Sequence, residues 1–125
     1  MGKTALLIED NEQNRYLATF LLESEGYTVI SATDGNSGIA LARELSPSVI
    51  LLDIQLPVRN GYEVAEELRR NPALDDVPIV AVTSYAMPGD REKALAAGCN
   101  GYIEKPIDPD TFVAEVTRYL PSETA

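Results

Sequence analysis

Val49-Ile50-Leu51-Leu52-Asp53-Ile54-Gln55-Leu56-Pro57 takes four consecutive apolar residues straight into a carboxylate and then a proline turn. A strand with one wet face alternates, whereas a continuous apolar run of this length suits a strand covered on both faces, as in a parallel sheet. Three further runs, read outward from this one, also end on polar side chains. Ala5-Leu6-Leu7-Ile8 meets Glu9-Asp10, Ile79-Val80-Ala81-Val82 meets Thr83, and Tyr102-Ile103 meets Glu104-Lys105-Pro106. If these are neighbouring parallel strands, their carboxyl ends share one edge, and open α/β sheets bind ligands outside that edge. Residues far apart in the chain then form one site.

Helical spacing fills the gaps between the runs. Glu12–Glu25 carries Leu17, Phe20, Leu21 and Leu22 as a candidate buried face and stops at Gly26, a residue suited to a left-handed cap. Tyr27–Ala32 is mixed in character and reads as an edge strand. The next helix begins near Asp34 or Asn36, buries Ile39, Leu41 or Ala42, and Leu45, and ends before Pro47. Tyr62–Arg70 follows and stops at Asn71-Pro72. Pro88-Gly89-Asp90 opens a helix to Ala97, and Asp108-Pro109 opens the last one, to Leu120. Five strand-then-helix units call for right-handed crossovers and a three-layer α/β/α sandwich. The expected order is flavodoxin-like, 2-1-3-4-5, with its switch point between the first and third strands, where Glu9, Asp10 and Asp53 end.

Composition limits the function. The 125 residues fit one domain, residues 1–125 with a core of about 3–120 and a tail at 121–125. No apolar stretch approaches the ~20 residues of a membrane span, and the N-terminus does not resemble a signal peptide, so a cytoplasmic location is the default. Twenty acids against ten bases, a formal charge of −10, argue against a nucleic-acid surface. Cys99 is the lone cysteine and reads as a buried thiol, and there is no histidine, which removes His-ligated zinc and Ser-His or Cys-His catalysis.

Three carboxylates meeting in a cleft repel one another, and a cation or a basic neighbour relieves the repulsion. Oxygen ligands without His or Cys suit Mg2+, with Mn2+ as a substitute. With that charge offset, one carboxylate can act as a nucleophile toward a phosphoryl donor and form an acyl phosphate. Asp53, central in the sheet and followed by the turn at Pro57 and Gly61, is the candidate. Lys105 supplies a point charge and Thr83 a hydroxyl for the equatorial oxygens. Taken singly, each acid reads as a solvated loop end or helix cap, Thr83 as a strand terminus, Lys105 as a surface lysine and Tyr102 as a half-buried strand aromatic. The constellation carries the functional reading.

The set Glu9-Asp10-Asn11, Asp53-Ile-Gln-Leu-Pro57 with Gly61, Val82-Thr83-Ser84 and Tyr102-Ile-Glu-Lys-Pro106 resembles the receiver domain of two-component response regulators over essentially the whole chain. Asn11 to Asn14, the stretch after Asp53, and Ala86-Met-Pro-Gly-Asp90 look like stand-alone DivK-type regulators, and receivers of hybrid histidine kinases look much the same. The resemblance implies phosphorylation of Asp53 by a phosphohistidine on a histidine kinase or histidine phosphotransfer protein. It implies Mg2+ on Asp10, Asp53 and the backbone carbonyl of Gln55, with Glu9 acting through water. It further implies that Lys105 pairs with the phosphoryl group, that the Lys105-Pro106 peptide is cis, and that Thr83 and Tyr102 form a switch pair. By the same resemblance, Gln55 and Tyr85 occupy positions that modulate acyl-phosphate lifetime in that family. Glu9 departs from the commoner second Asp, and its longer side chain can still hold a metal-bound water.

The resulting expectation is a single-domain response regulator in a phosphorelay, a signalling module that promotes its own phosphorylation and dephosphorylation. A receiver excised from a hybrid kinase and a phosphorylation-independent adaptor are the alternatives. Output passes to a downstream protein through Pro88–Ala97, Tyr102–Lys105 and Pro109–Leu120, with a homodimer possible; the first helix and the loop after Lys105 dock the phosphodonor. An FMN binder needs a Ser, Thr and Gly-rich loop where Glu9-Asp10 stands. A dehalogenase-type phosphatase needs Asp-x-Asp, which Asp53-Ile-Gln55 lacks.

Overall fold

A computed structural model describes residues 3–84 and 88–120. Its five strands, β1 (Lys3–Ile8), β2 (Tyr27–Ala32), β3 (Val49–Asp53), β4 (Ile79–Thr83) and β5 (Gly101–Glu104), form one parallel sheet in the order β2-β1-β3-β4-β5. The helices among the described residues are α1 (Glu12–Ser24), α2 (Gly35–Leu45), α3 (Gly61–Arg69), α4 (Asp90–Ala96) and α5 (Phe112–Thr117), with a short 3-10 turn at Pro72–Leu74. The expected α/β/α architecture and strand order hold, and β2 lies at the edge. No helix among the described residues is long and apolar enough to cross a membrane.

Strand alternation divides the core. Leu6, Ile8, Ile50, Leu52, Ile79 and Ala81 join residues of α2, α3 and α4 on one face of the sheet. Ala5, Leu7, Val49, Leu51, Val80, Val82 and Ile103 join Ala18 and Leu22 of α1 and Phe112 and Val116 of α5 on the other. Every residue of β3 is buried, as its unbroken apolar run required.

Helix starts follow local polar chemistry. Asn11 accepts the Asn14 N–H at 2.9 Å and Asp34 the Ser37 N–H at 2.8 Å, while Asn60 and Glu63 form a reciprocal capping box. Gly26, at φ +93°, turns the chain after α1 in the left-handed region that glycine enters freely.

Four sequence expectations need correction. Phe20 does not join the core: Ala18 and Leu22 take the buried face, Leu17 and Leu21 lie half-buried, and Phe20 is 59% exposed. Leu45 ends α2 exposed, beyond the reach of the sheet, while Ile39 and Ala42 are buried. The last helix is shorter than Asp108–Leu120. Asp108 caps a tight turn: its side chain accepts the Asp110 N–H at 2.9 Å, and its carbonyl accepts the Thr111 N–H at 3.1 Å as well as the Phe112 N–H at 2.9 Å, so regular helix starts only at Phe112. At its far end Tyr119 and Leu120 donate three residues back, tightening the last turn. Finally, α4 starts at Asp90 after Gly89, one to two residues inside the expected span.

Candidate functional site

Register brings the acids together. Ile8 pairs with Leu52 across β1 and β3, so Glu9, one residue on, draws level with Asp53. Both continue the side-chain parity of Leu7 and Leu51, and each is 3% exposed; Asp10, of opposite parity, is exposed. One carboxylate oxygen from each of Glu9, Asp10 and Asp53 falls within a 4.8 Å group.

Lys105 follows β5 with the parity of Ile103. Strands lie about 4.8 Å apart, so β5 is roughly 10 Å from β3 with β4 between them. The lysine stem spans that gap. Its Nζ lies 3.0 Å from Glu9 Oε1 and 3.3 Å from Asp53 Oδ2, with the Lys105 side chain only 8% exposed. The Lys105-Pro106 peptide is cis, and the Lys105 N–H donates to the Thr83 carbonyl at 2.7 Å, fixing where the lysine leaves the strand.

The loop after β3 is held from several sides. The Gln55 N–H donates to Asp53 Oδ1 at 2.9 Å, the Gly61 N–H donates to the Ile54 carbonyl at 2.8 Å, and the Ser84 N–H donates to Gln55 Oε1 at 3.3 Å. Gln55 thus ties the β3–α3 loop to the end of β4 through its amide, a role its sequence position does not announce. Gly61 is required sterically: a Cβ there would stand 2.5 Å from Ile54 Cα and 2.7 Å from the Asp53 carbonyl oxygen. Arg15 was not singled out in the sequence. Its guanidinium donates to the Glu9 carbonyl at 3.1 Å, a contact no spacing rule signals.

Electrostatics follow from burial. Glu9 is pushed up to about 7, first by burial and then by its hydrogen bond with Asp53, against the opposing pull of Lys105. The donor set of three carboxylates without nitrogen or sulfur fits a hard divalent ion such as Mg2+.

Thr83 lies on the other face of the sheet, buried at 3% exposure. It stands opposite Glu104, and Tyr102 stands opposite Ala81, so Thr83 and Tyr102 project to the same side. Tyr102 is half-buried and lines a cavity of about 410 Å3 with Arg91, Glu104, Pro106, Arg118 and Tyr119. Burial, then the Asp90 and Glu104 carboxylates, push its phenol above the ordinary tyrosine range. Tyr85 lies outside the described residues, as do Ala86 and Met87. Cys99 is buried, and burial pushes its thiol up to about 11, so it is inert as a nucleophile.

Known proteins resemble this chain in sequence and fold. The chain is 42% identical to the polar-differentiation response regulator DivK of Brucella anthropi over 120 residues, covering 96% of this chain and 98% of that protein, and equally so to DivK of Brucella ovis. The receiver domain of sensor histidine kinase PA1611 from Pseudomonas aeruginosa PAO1, solved with magnesium coordinated in its active site cleft, superposes with a TM-score of 0.89. It is 36% identical, and the match covers 98% of this chain and all of that one. Chemotaxis response regulator CheY4 of Vibrio cholerae gives 0.91 at 28% identity, covering 96% of this chain and all of its own. The profile of the response regulator receiver domain matches residues 5–117, from the first buried residue of β1 to the last residue of α5. With the acids of two strand ends facing a lysine from a third, and this likeness running almost end to end, the chain belongs to the response regulator receiver domain family.

Proposed function

We propose that Asp53 accepts a phosphoryl group from a phosphohistidine of a histidine kinase or phosphotransfer protein, and that the acyl phosphate switches protein contacts. One observation carries this reading: Lys105 Nζ, 3.0 Å from Glu9 and 3.3 Å from Asp53, shares a single cleft with the Glu9, Asp10 and Asp53 carboxylates. In the proposed step an Asp53 oxygen bonds to phosphorus as the donor's P–N bond breaks, and the histidine leaves with a proton. Asp10, Asp53 and the Gln55 carbonyl would hold Mg2+, with Glu9 acting through water. The ion would supply the positive charge that lets an anionic donor approach three acids.

This chain's own groups do the rest. Lys105 offsets charge on the phosphoryl oxygens, and Gln55, whose N–H already donates to Asp53 Oδ1, aligns the carboxylate. Thr83 and Tyr102 would act as the switch pair, the hydroxyl drawn toward the phosphoryl group and the ring moving inward, which alters the face of α4, β5 and α5. Phosphodonor docking falls to α1 and the loop after Lys105, and output to a downstream protein at that altered face. We read residues 1–125 as one cytoplasmic receiver that promotes its own phosphorylation and dephosphorylation.

Incubation with acetyl phosphate and Mg2+, followed by intact-mass measurement, tests the site. The expected result is one phosphate adduct, removed by hydroxylamine and absent in Asp53→Asn or with chelator. An adduct that persists in Asp53→Asn refutes the assignment. An adaptor that ignores phosphorylation would bind its partner equally with and without beryllofluoride.

A further inference from the structure

The only base of α1 stands where a helix least favours one. Arg15 is the fourth residue of α1, in the first turn, where the unpaired N–H groups and the helix dipole repel a cation. Its guanidinium is half-buried and folds back to the chain before the helix, Nη1 donating to the Glu9 carbonyl at 3.1 Å. That carbonyl belongs to the peptide that leads into Asp10. Because a peptide unit is planar, holding its oxygen also fixes the nitrogen and Cα of Asp10. The next peptide is held as well, since the Asn11 N–H donates to Glu9 Oε2 at 3.2 Å. Both planes flanking Asp10 are thus pinned. The Asp10 carboxylate itself is exposed, and none of the hydrogen bonds or ion pairs among the described residues holds it. Its aim, with an oxygen within 4.8 Å of those of Glu9 and Asp53, is set through the backbone.

We propose that Arg15 is a positioning residue for this cleft: by fixing the Glu9–Asp10 peptide it turns the Asp10 carboxylate toward the cation. This role depends on Asp10 and Asp53 holding Mg2+, as proposed for the phosphoryl transfer. A hydrogen bond from a guanidinium is stronger than one from a neutral donor, which suits a turn whose acids repel each other. The competing role is that of a bare positive charge beside the cleft, and the two differ in sign. A bare charge repels Mg2+, so its removal tightens binding. A lost support lets Asp10 turn to water, so its removal weakens binding.

Amide shifts of the whole chain, followed by NMR during a titration with MgCl2, test the assignment. Arg15→Met keeps the apolar stem and a good helix former at a half-exposed site, so the variant should fold. It should bind Mg2+ about tenfold more weakly than the parent, the usual scale for losing a group that orients a metal ligand. Arg15→Lys, which keeps a donor and the charge, should fall between the two. In metal-free protein the HN–Hα coupling of Asp10, which reports its φ, should change in Arg15→Met and stay near the parent value in Arg15→Lys. That second readout needs no ion, and a contact that merely stabilised α1 would not move it. Mg2+ affinity in Arg15→Met equal to or above the parent's, or an unchanged Asp10 coupling, overturns the proposal while leaving the metal site standing. A parent that shows no saturable shift at Glu9, Asp10 and Asp53 overturns the metal reading itself, and the role of Arg15 falls with it.

Discussion

Lys105 Nζ sits 3.0 Å from Glu9 Oε1, nearer than to Asp53 at 3.3 Å, so the lysine's principal partner is the acid of β1 rather than that of the neighbouring central strand. Both carboxylates are almost fully buried, and one ammonium serves the two.

Lys105→Met should therefore expose their mutual repulsion. Breaking a buried ion pair costs about 3–5 kcal/mol, and proton uptake by Glu9 recovers part of it. We expect a loss of about 3 kcal/mol at pH 8 without Mg2+ in urea unfolding, a smaller loss at pH 6, and acetyl phosphate labelling slowed roughly a hundredfold. An unchanged unfolding midpoint would show that the lysine is not structurally coupled to the acids.

Glu9 sets a pH dependence. Its folded value, about 7, lies above the ordinary 4.5, so the folded state holds this proton more tightly than the unfolded chain does. The stability it contributes is full below 4.5 and is lost as pH rises through 7. A bound cation competes with that proton. Thermal melts with and without MgCl2 should show Mg2+ raising the melting temperature more at pH 8 than at pH 5.5, and Glu9→Gln should flatten the difference.

Gly61→Ala meets backbone on two sides, the Ile54 Cα at 2.5 Å and the Asp53 carbonyl oxygen at 2.7 Å, so no rotamer can relieve it. Overpacking of this kind costs about 1–3 kcal/mol. The expected variant folds with that loss and labels more slowly at Asp53, because the loop carrying the Gln55 N–H must shift. Wild-type stability would mean the loop yields freely.

Val58 sits at φ +69° and is 98% exposed, a β-branched residue in the left-handed region with no packing to hold it there. That conformation costs roughly 1–2 kcal/mol for a residue with a Cβ. Glycine removes the strain but adds unfolded-state entropy of about 0.5–1 kcal/mol. Val58→Gly should gain about 0.5–1 kcal/mol in chemical denaturation, and Val58→Asn a similar amount. A destabilised Val58→Gly would refute the strain.

Much of the frame was legible along the chain. The unbroken run Val49–Leu52 announced a doubly covered strand, and the polar residue closing each run announced the common edge. Periodicity misjudged Phe20 because Leu17, Phe20, Leu21 and Leu22 subtend too wide an arc for one sheet face, and the choice of Ala18 and Leu22 was made by what α1 rests on. The full helix expected from Asp108 failed for a different reason: its carbonyl is taken three residues on by the Thr111 N–H at 3.1 Å as well as four on by Phe112, so the first turn is tight and regular helix starts at Phe112.

By itself the sequence determined which residues end the strands, the sign of the charge at that edge and the parity of each side chain, since these follow from local spacing. Only the tertiary structure decided that Lys105 crosses β4 to favour Glu9, that Asp10 faces solvent while Glu9 does not, and that Tyr16 and Phe20 stand uncovered. Those outcomes depend on strand order, register and the area of sheet each helix can cover, distances that exist only once separate segments are brought side by side.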